Sequence, residues 1–264
     1  MQNKNSKTIK IAHYNIYNGG TKRLSKISKV IEEINPDICG LLECVGWENN
    51  IERYTKYFKS KGYNFFYLAK ANSKYNISII SKIKIKTTSV KSGVRHVIAK
   101  AEITEPECSP LHIFFLHLSP KSEEERLKEI LILLKQIKTL DRVIIMGDFN
   151  SLSKKDKYNE KLLLEKLKKN GVTKFGKEYL KFDVINKIEG NNFIDAFRYK
   201  KNKFTYSAPS KYNTDINHSE KIRIDYAFIK QEIAGKVKAC KIFKSKTTEL
   251  ASDHYPLYIE IEKR

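Results

Sequence analysis

The chain has 264 residues, and its 51 Lys and Arg residues outnumber its 30 Asp and Glu residues, which gives a formal net charge of +21. This charge favours a polyanionic partner, although a coding bias towards lysine explains it equally well. The length predicts one domain (1–264), and we expect a monomer. No apolar stretch reaches the ~18 residues of a membrane span and the first residues lack a secretion signal, so we expect a cytoplasmic protein. The cysteines lack paired spacing, which predicts reduced thiols.

The first part of the chain alternates between predicted strands and helices. Apolar residues recur at helical spacing from Leu24 to Ile34, and Asn35-Pro36-Asp37 ends this predicted helix. Short apolar or alternating runs predict strands at 9–16, 38–43, 63–68, 76–81 and 96–103.

The second part continues this alternation. Strands are predicted at 111–118 and 142–147, with a helix between them that begins at a capping box of Ser122 and Glu125. Residues 154–181 hold ten lysines and four acids, which predicts a surface helix and loop that is either a solvated face or a phosphate-tracking arm. Short strands and turns fill 193–262. So many strands favour an α/β fold with two packed sheets flanked by helices.

Several predicted strands end in polar residues. Asp148 and Asn150 follow the apolar run of IIMGDFNS, where an aspartate can activate or orient a water and an asparagine can hold it; a plain turn is the alternative. Glu43 ends PDICGLLE, and a carboxylate there needs a cation or a partner unless it reaches water. Asn15 closes the first strand, before a glycine turn.

The C-terminal part adds further candidates. Asp225 in RIDY shares a predicted strand face with Arg223, so a surface salt bridge competes with catalysis as its explanation. Asp253 and His254 in SDHYP adjoin a strand, and a carboxylate makes an imidazole a better base. His117 in FFLHLSP is a weaker candidate, since a lone histidine is more often structural.

Together these residues indicate a metal site. Two carboxylates ~4 Å apart repel by about 4 kcal/mol at an effective dielectric of 20. If Glu43, Asp148, Asp225 and Asp253 converge, a divalent cation must therefore lie among them.

The ordered set of motifs resembles the endonuclease/exonuclease/phosphatase superfamily with the deoxyribonuclease I-like fold, over about residues 8–262. FIDAFR (193–198) and FTYSAPS (204–210) resemble the family's segment before R-x-D-Y. The resemblance implies a four-layer αββα sandwich of two mixed sheets with helices outside. It also implies Mg²⁺ or Mn²⁺ held mainly by Glu43 with help from Asn15 and Asp253.

The remaining roles are likewise implied by the resemblance. Asp148 activates the attacking water and Asn150 positions it, while Asp225 orients His254 at the scissile phosphate. His117 stabilises phosphoryl oxygens or protonates the leaving group. His117-Leu118-Ser119-Pro120 replaces the Tyr-x-Pro-Asn segment of the abasic-endonuclease and exonuclease III branch, which favours the branch that carries histidine there.

Three functional hypotheses follow. The first is a cytosolic, metal-dependent nuclease or DNA-repair phosphodiesterase, with DNA preferred over RNA as partner. The second is a phosphatase or phosphodiesterase for a small-molecule or lipid phosphate ester, and the third is an inactive binding module. Two further residues have competing interpretations: His96 enters the cleft or forms a surface pair with Arg95, and Trp47 stacks on a base or packs under a loop.

Overall fold

The computed structural model of the protein describes residues 7–104, 109–200, 203–213 and 218–263. Its strands are β1 (Thr8–Asn15), β2 (Ile38–Leu42), β3 (Phe65–Ala69), β4 (Ile77–Ser81), β5 (Lys86–Val90), β6 (Ile98–Ile103), β7 (Leu111–His117), β8 (Val143–Asp148), β9 (Phe193–Asp195), β10 (Asp225–Lys230), β11 (Val237–Ile242) and β12 (Leu257–Glu262). Its helices are α1 (Leu24–Ile34), α2 (Ile51–Ser60), α3 (Glu123–Gln136), α4 (Glu160–Lys169), α5 (Asp183–Glu189), α6 (Ala196–Lys200) and α7 (Thr248–Ala251).

The strands form two six-stranded sheets, in the orders β11-β12-β1-β2-β4-β3 and β5-β6-β7-β8-β10-β9. Each sheet is mixed, because β1 with β2 and β7 with β8 are parallel while their neighbours are antiparallel. Apolar residues of both sheets form one core between them, and two further apolar clusters join α1 and α2 to the first sheet and α3 and α5 to the second. The predicted four-layer sandwich is therefore confirmed.

The two sheets pack tightly where β2 faces β7. A Cβ added to Gly40 would lie 2.2 Å from the ring of Phe115, so only glycine fits opposite this aromatic side chain. Interiors pack at the density of organic crystals, so an extra methyl group here has no free space. The glycine inside an apolar strand thus marks the contact between the sheets.

The predicted helix starts and stops are well reproduced. α1 buries the residues that recur at helical spacing, and Asn35 ends it in a left-handed conformation with φ 52°. The Ser122 side chain accepts a hydrogen bond from the Glu125 backbone N–H, which caps α3. The predicted strands also appear, each within about two residues of its predicted bounds.

Other predictions are met in part. β5, which sequence patterning missed, is a half-exposed edge strand of mostly polar residues. Cys39, Cys44 and Cys240 are buried free thiols, as predicted, whereas Cys108 lies outside the described residues. Among the described helices, none has the length and apolar character needed to cross a bilayer.

The strand directions bring the polar strand ends to one edge of the sandwich. β1, β2, β7 and β8 deliver their last residues there, while the antiparallel β10 and β12 begin there. In the second sheet Asp148 is the register partner of both His117 and Asp225, so these three residues are neighbours across strands. Side chains that are far apart in sequence are thereby adjacent.

Candidate active site

One side of the site is built on the ends of β1 and β2. The Asn15 side-chain amide donates to Glu43 Oε1 at 3.0 Å and to Asp148 Oδ2 at 3.2 Å, while the Asn18 backbone N–H donates to Glu43 Oε2 at 2.9 Å. Glu43 has φ 62°, a left-handed conformation that is costly for a residue with a side chain. The chain therefore fixes the half-buried Glu43 carboxylate at the edge of the sheet beside Asp148.

Asp148 and Asn150 lie at the centre of the site. The Asn150 backbone N–H donates to Asp148 Oδ1 at 2.8 Å, and the Asn150 side chain donates to the Leu118 carbonyl at 3.1 Å. His117 Nε2 lies 3.5 Å from Asp148 Oδ2. Burial favours the neutral acid, but His254 and His117 outweigh it and lower the pKa of Asp148 to about 2. Asp148 is thus an ionised acceptor aimed at the pocket.

Asp225 and His254 form a buried pair behind Asp148. His254 Nδ1 lies 2.7 Å from Asp225 Oδ2, and its Nε2 lies 3.8 Å from Asp148 Oδ2. Burial disfavours the imidazolium, yet Asp225 and Asp253 raise the pKa of His254 to about 10. Burial raises the pKa of Asp225 to about 6. At pH 7 the pair is therefore an imidazolium and a carboxylate, with Nε2–H available as a donor.

Asp253 has a histidine partner that the sequence did not reveal. His218 Nδ1 lies 3.2 Å from Asp253 Oδ2, and the His218 ring meets the His254 ring edge-on at a centroid distance of 4.8 Å. Burial opposes ionisation of Asp253, but His254 and His218 lower its pKa. His218 lies between the FTYSAPS segment and RIDY, in a polar stretch without periodicity, so only its nearness to these motifs could have drawn attention to it.

These side chains surround a cavity of about 380 Å³. Of the predicted residues, Glu43, His117, Asp148, Asn150 and Asp253 line it directly. Asn15 adjoins Glu43, whereas Asp225 and His254 lie behind Asp148. Two basic residues that were not predicted also line it, Lys174 and His218. The cavity can hold a phosphoryl group between carboxylates on one side and nitrogen donors on the other.

The donor set of the cavity fits a hard divalent cation. Glu43, Asp148 and Asp253 offer carboxylate oxygens, which Mg²⁺ and Mn²⁺ prefer. Donor atoms of His218, Asp253 and His254 also lie within 4.8 Å of one another, a spacing at which three residues can hold one metal ion. Asn15 donates its amide to carboxylates here, so it orients Glu43 and Asp148.

Two interpretations of residues near the site are wrong. Arg223 does not pair with Asp225 at the surface: it is fully buried, with Nη2 2.9 Å from Asp156 Oδ1 and Nη1 2.7 Å from Asp195 Oδ2. β10 begins only at Asp225, so the strand alternation assumed for Arg223 does not apply.

The surface pair expected for His96 is also wrong. His96 is buried, its ring lies 4.9 Å from that of His117, and its Nδ1 lies 2.6 Å from Ser73 Oγ. Trp47 packs inside the protein, stacked on Tyr54 at 4.1 Å, so of its two interpretations packing is confirmed.

Several solved structures share the fold of this protein over nearly its whole length. The 3' phosphatase NExo from Neisseria, bound to a product DNA hairpin, is 14% identical with a TM-score of 0.73, over 96% of this chain and 99% of that one. An AP endonuclease from Archaeoglobus fulgidus is 18% identical with a TM-score of 0.72, over 97% and 100%. TDP2 from D. rerio, in complex with a single-strand DNA product, is 14% identical with a TM-score of 0.68, over 98% and 100%. At these identities the likeness shows the shared fold.

Sequence comparison gives the family. No curated protein matches the chain in a search of sequences. The model of the Endonuclease/Exonuclease/phosphatase family matches residues 12–254, which include every residue of the cavity described above. The chain therefore belongs to the Endonuclease/Exonuclease/phosphatase family.

Proposed function

We propose that this protein is a divalent-metal-dependent phosphodiester hydrolase that cleaves nucleic acid, with DNA preferred over RNA, in the cytosol. The observation that carries the proposal is the convergence of Glu43, Asp148 and Asp253 on one cavity together with the charged His254. Carboxylates that face one cavity repel one another unless cations compensate their charge. A site of this kind is suited to the in-line displacement of a phosphate ester.

The metal has a defined place in this proposal. Glu43 would be its principal ligand, with help from Asp253 and Asn15, and Mg²⁺ or Mn²⁺ held there would supply positive charge to the phosphoryl oxygens. Asn15 contributes by holding Glu43 next to Asp148. The remaining chemistry is done by side chains of the chain itself.

Hydrolysis needs a nucleophile, a proton acceptor and a proton donor. Asp148 accepts a hydrogen bond from the attacking water and then its proton, while Asn150 holds Asp148 through its backbone N–H. The water oxygen forms the new bond to phosphorus as the ester P–O bond breaks, and the leaving oxygen receives a proton from His117. His254, held as an imidazolium by Asp225, donates Nε2–H to the phosphoryl oxygens.

Two observations support nucleic acid as the substrate class. The chain carries a net charge of +21, which attracts polyanions. Two of the similar solved structures, those of NExo and TDP2, contain product DNA. The proposed location in the cytosol is supported by the buried free thiols, which are typical of a reducing compartment.

A substrate panel tests the proposal. The purified protein is incubated with duplex, single-stranded, abasic and 5′-tyrosyl DNA, RNA, and p-nitrophenyl phosphodiester, with Mg²⁺, with Mn²⁺ and with EDTA. We expect DNA cleavage that EDTA abolishes and that Glu43→Ala or His254→Ala lowers by about 10²- to 10³-fold, whereas Glu52→Ala on the exposed face of α2 leaves it unchanged.

The result also separates the competing functions. Binding to DNA should weaken steeply with salt, because lysine contacts to phosphates release counterions. Hydrolysis of the small phosphodiester alone, with little salt dependence, contradicts the nucleic-acid substrate and supports a small-molecule phosphate ester. Intact substrates under every condition contradict the enzymatic proposal.

A further inference from the structure

Lys174 is a buried cation inside the catalytic cavity that no predicted motif contains. It comes from the loop after α4, within the lysine-rich segment 154–181, and only 7% of it is exposed. Its Nζ donates to Asn150 Oδ1 at 2.8 Å and faces the cavity shared by Glu43, Asp148 and Asp253. Of the ten lysines in this segment, Lys174 is the one whose side chain faces the catalytic cavity instead of solvent.

The loop that carries Lys174 is held rigidly from behind. The buried Arg126 of α3 donates to the Lys174 carbonyl at 2.6 Å, and the next residue, Phe175, is 1% exposed in an apolar cluster. Gly176 closes a turn onto the Thr173 carbonyl with φ 130°, and a Cβ there would lie 1.9 Å from the Tyr179 carbonyl. The lysine is therefore positioned in advance, which is what transition-state stabilisation requires.

The position of Lys174 also has an electrostatic consequence. A buried ammonium is costly unless an opposite charge faces it. Its charge helps to lower the pKa of Asp148 and that of His218, so its field crosses the cavity. Asn150, its hydrogen-bond partner, is neutral, whereas the cavity that Lys174 lines also contains the carboxylates of Asp148 and Asp253. A phosphoryl group in the cavity supplies anionic oxygens at this place.

We propose that Lys174 is a further catalytic residue, whose ammonium contacts a non-bridging oxygen of the scissile phosphoryl group opposite His254. The proposal rests on the phosphodiesterase function proposed above and deepens it. Lys174 neither gains nor loses a covalent bond in the reaction. Its charge stabilises the additional negative charge that the phosphoryl oxygens carry while the water oxygen bonds to phosphorus.

The test compares Lys174→Met with Lys174→Arg and with Lys177→Met, a matched control on the exposed part of the same loop. On whichever substrate the wild type cleaves, Lys174→Met should lower kcat by about 100-fold, the effect of losing one charge-stabilising donor. Lys174→Arg should restore part of the loss, and Lys177→Met should leave kcat unchanged. The affinity for inorganic phosphate, measured by calorimetry, should fall in Lys174→Met alone, and thermal unfolding shows that each variant is folded.

A double-mutant cycle separates contact with substrate from mere support of Asn150. If Lys174 touches the phosphoryl group, Lys174→Met still costs about 100-fold in the Asn150→Ala background. The proposal is overturned if Lys174→Met causes no further loss of kcat in the Asn150→Ala background. It is also overturned if folded Lys174→Met keeps the kcat and the phosphate affinity of the wild type. In both cases the phosphodiesterase function stands. An inactive wild type overturns the function itself, and phosphate binding by calorimetry then decides the role of Lys174 separately.

Discussion

Replacing Asp225 with asparagine removes the carboxylate that keeps His254 charged, with little change in shape. His254 Nδ1 lies 2.7 Å from Asp225 Oδ2, and the pKa of His254 is about 10 against an ordinary 6.5. This difference corresponds to about 5 kcal/mol in favour of the imidazolium. Burial alone acts in the opposite direction, so without the charge of Asp225 the pKa of His254 should fall towards the ordinary value.

The expected loss of activity depends on pH. A histidine with pKa 6.5 is about 3% protonated at pH 8, so Asp225→Asn should lower kcat/KM by about 30-fold at pH 8 and by less than about 2-fold at pH 6. The loss is larger at high pH because Asp225 raises the pKa of His254, which keeps His254 charged up to about pH 10 in the wild type. The measurement is kcat/KM against pH from 5.5 to 9 for both proteins.

A second variant provides the control for this prediction. In the His254→Ala background, Asp225→Asn should have no further effect, since Asp225 acts through His254. A loss that is the same at pH 6 and pH 8, or one that persists without His254, refutes the assignment of His254 as a charged donor.

Three further predictions concern the fold that holds the site. Gly40→Ala should lower the free energy of unfolding in urea by about 1–3 kcal/mol, because the new methyl group would lie 2.2 Å from the ring of Phe115. An unchanged unfolding midpoint contradicts the close packing of the sheets. Asp156→Ala should cost about 3–5 kcal/mol by leaving the buried Arg223 short of a partner, and a cost below 1 kcal/mol argues against this buried pair. Burial lowers the pKa of His13 from 6.5 to about 3. Between pH 3 and pH 6.5 His13 is therefore protonated only in the unfolded chain, so the free energy of unfolding should fall by about 1.4 kcal/mol for each pH unit of acidification. His13→Leu should reduce that slope, measured by urea unfolding from pH 4.5 to 6, and an unchanged slope rules out a buried neutral His13.

Sequence alone determined the features that depend on local periodicity and on motifs. The apolar spacing from Leu24 to Ile34 predicted α1, because a helix buries one face every 3.6 residues. Apolar runs with polar ends, such as the run before Asp148, predicted strands and placed reactive side chains at their ends. The order of these motifs along the chain sufficed for the family.

Only the tertiary structure decided which side chains meet. Arg223 precedes β10 and therefore turns to Asp156 and Asp195 inside the protein, away from Asp225. Lys174 and His218 come from irregular segments, where no period relates a residue to a face, so nothing local distinguishes them from other polar residues nearby. Their positions follow from long-range contacts, such as that of Arg126 with the Lys174 carbonyl, which form only when α3, β8 and the loop after α4 pack together.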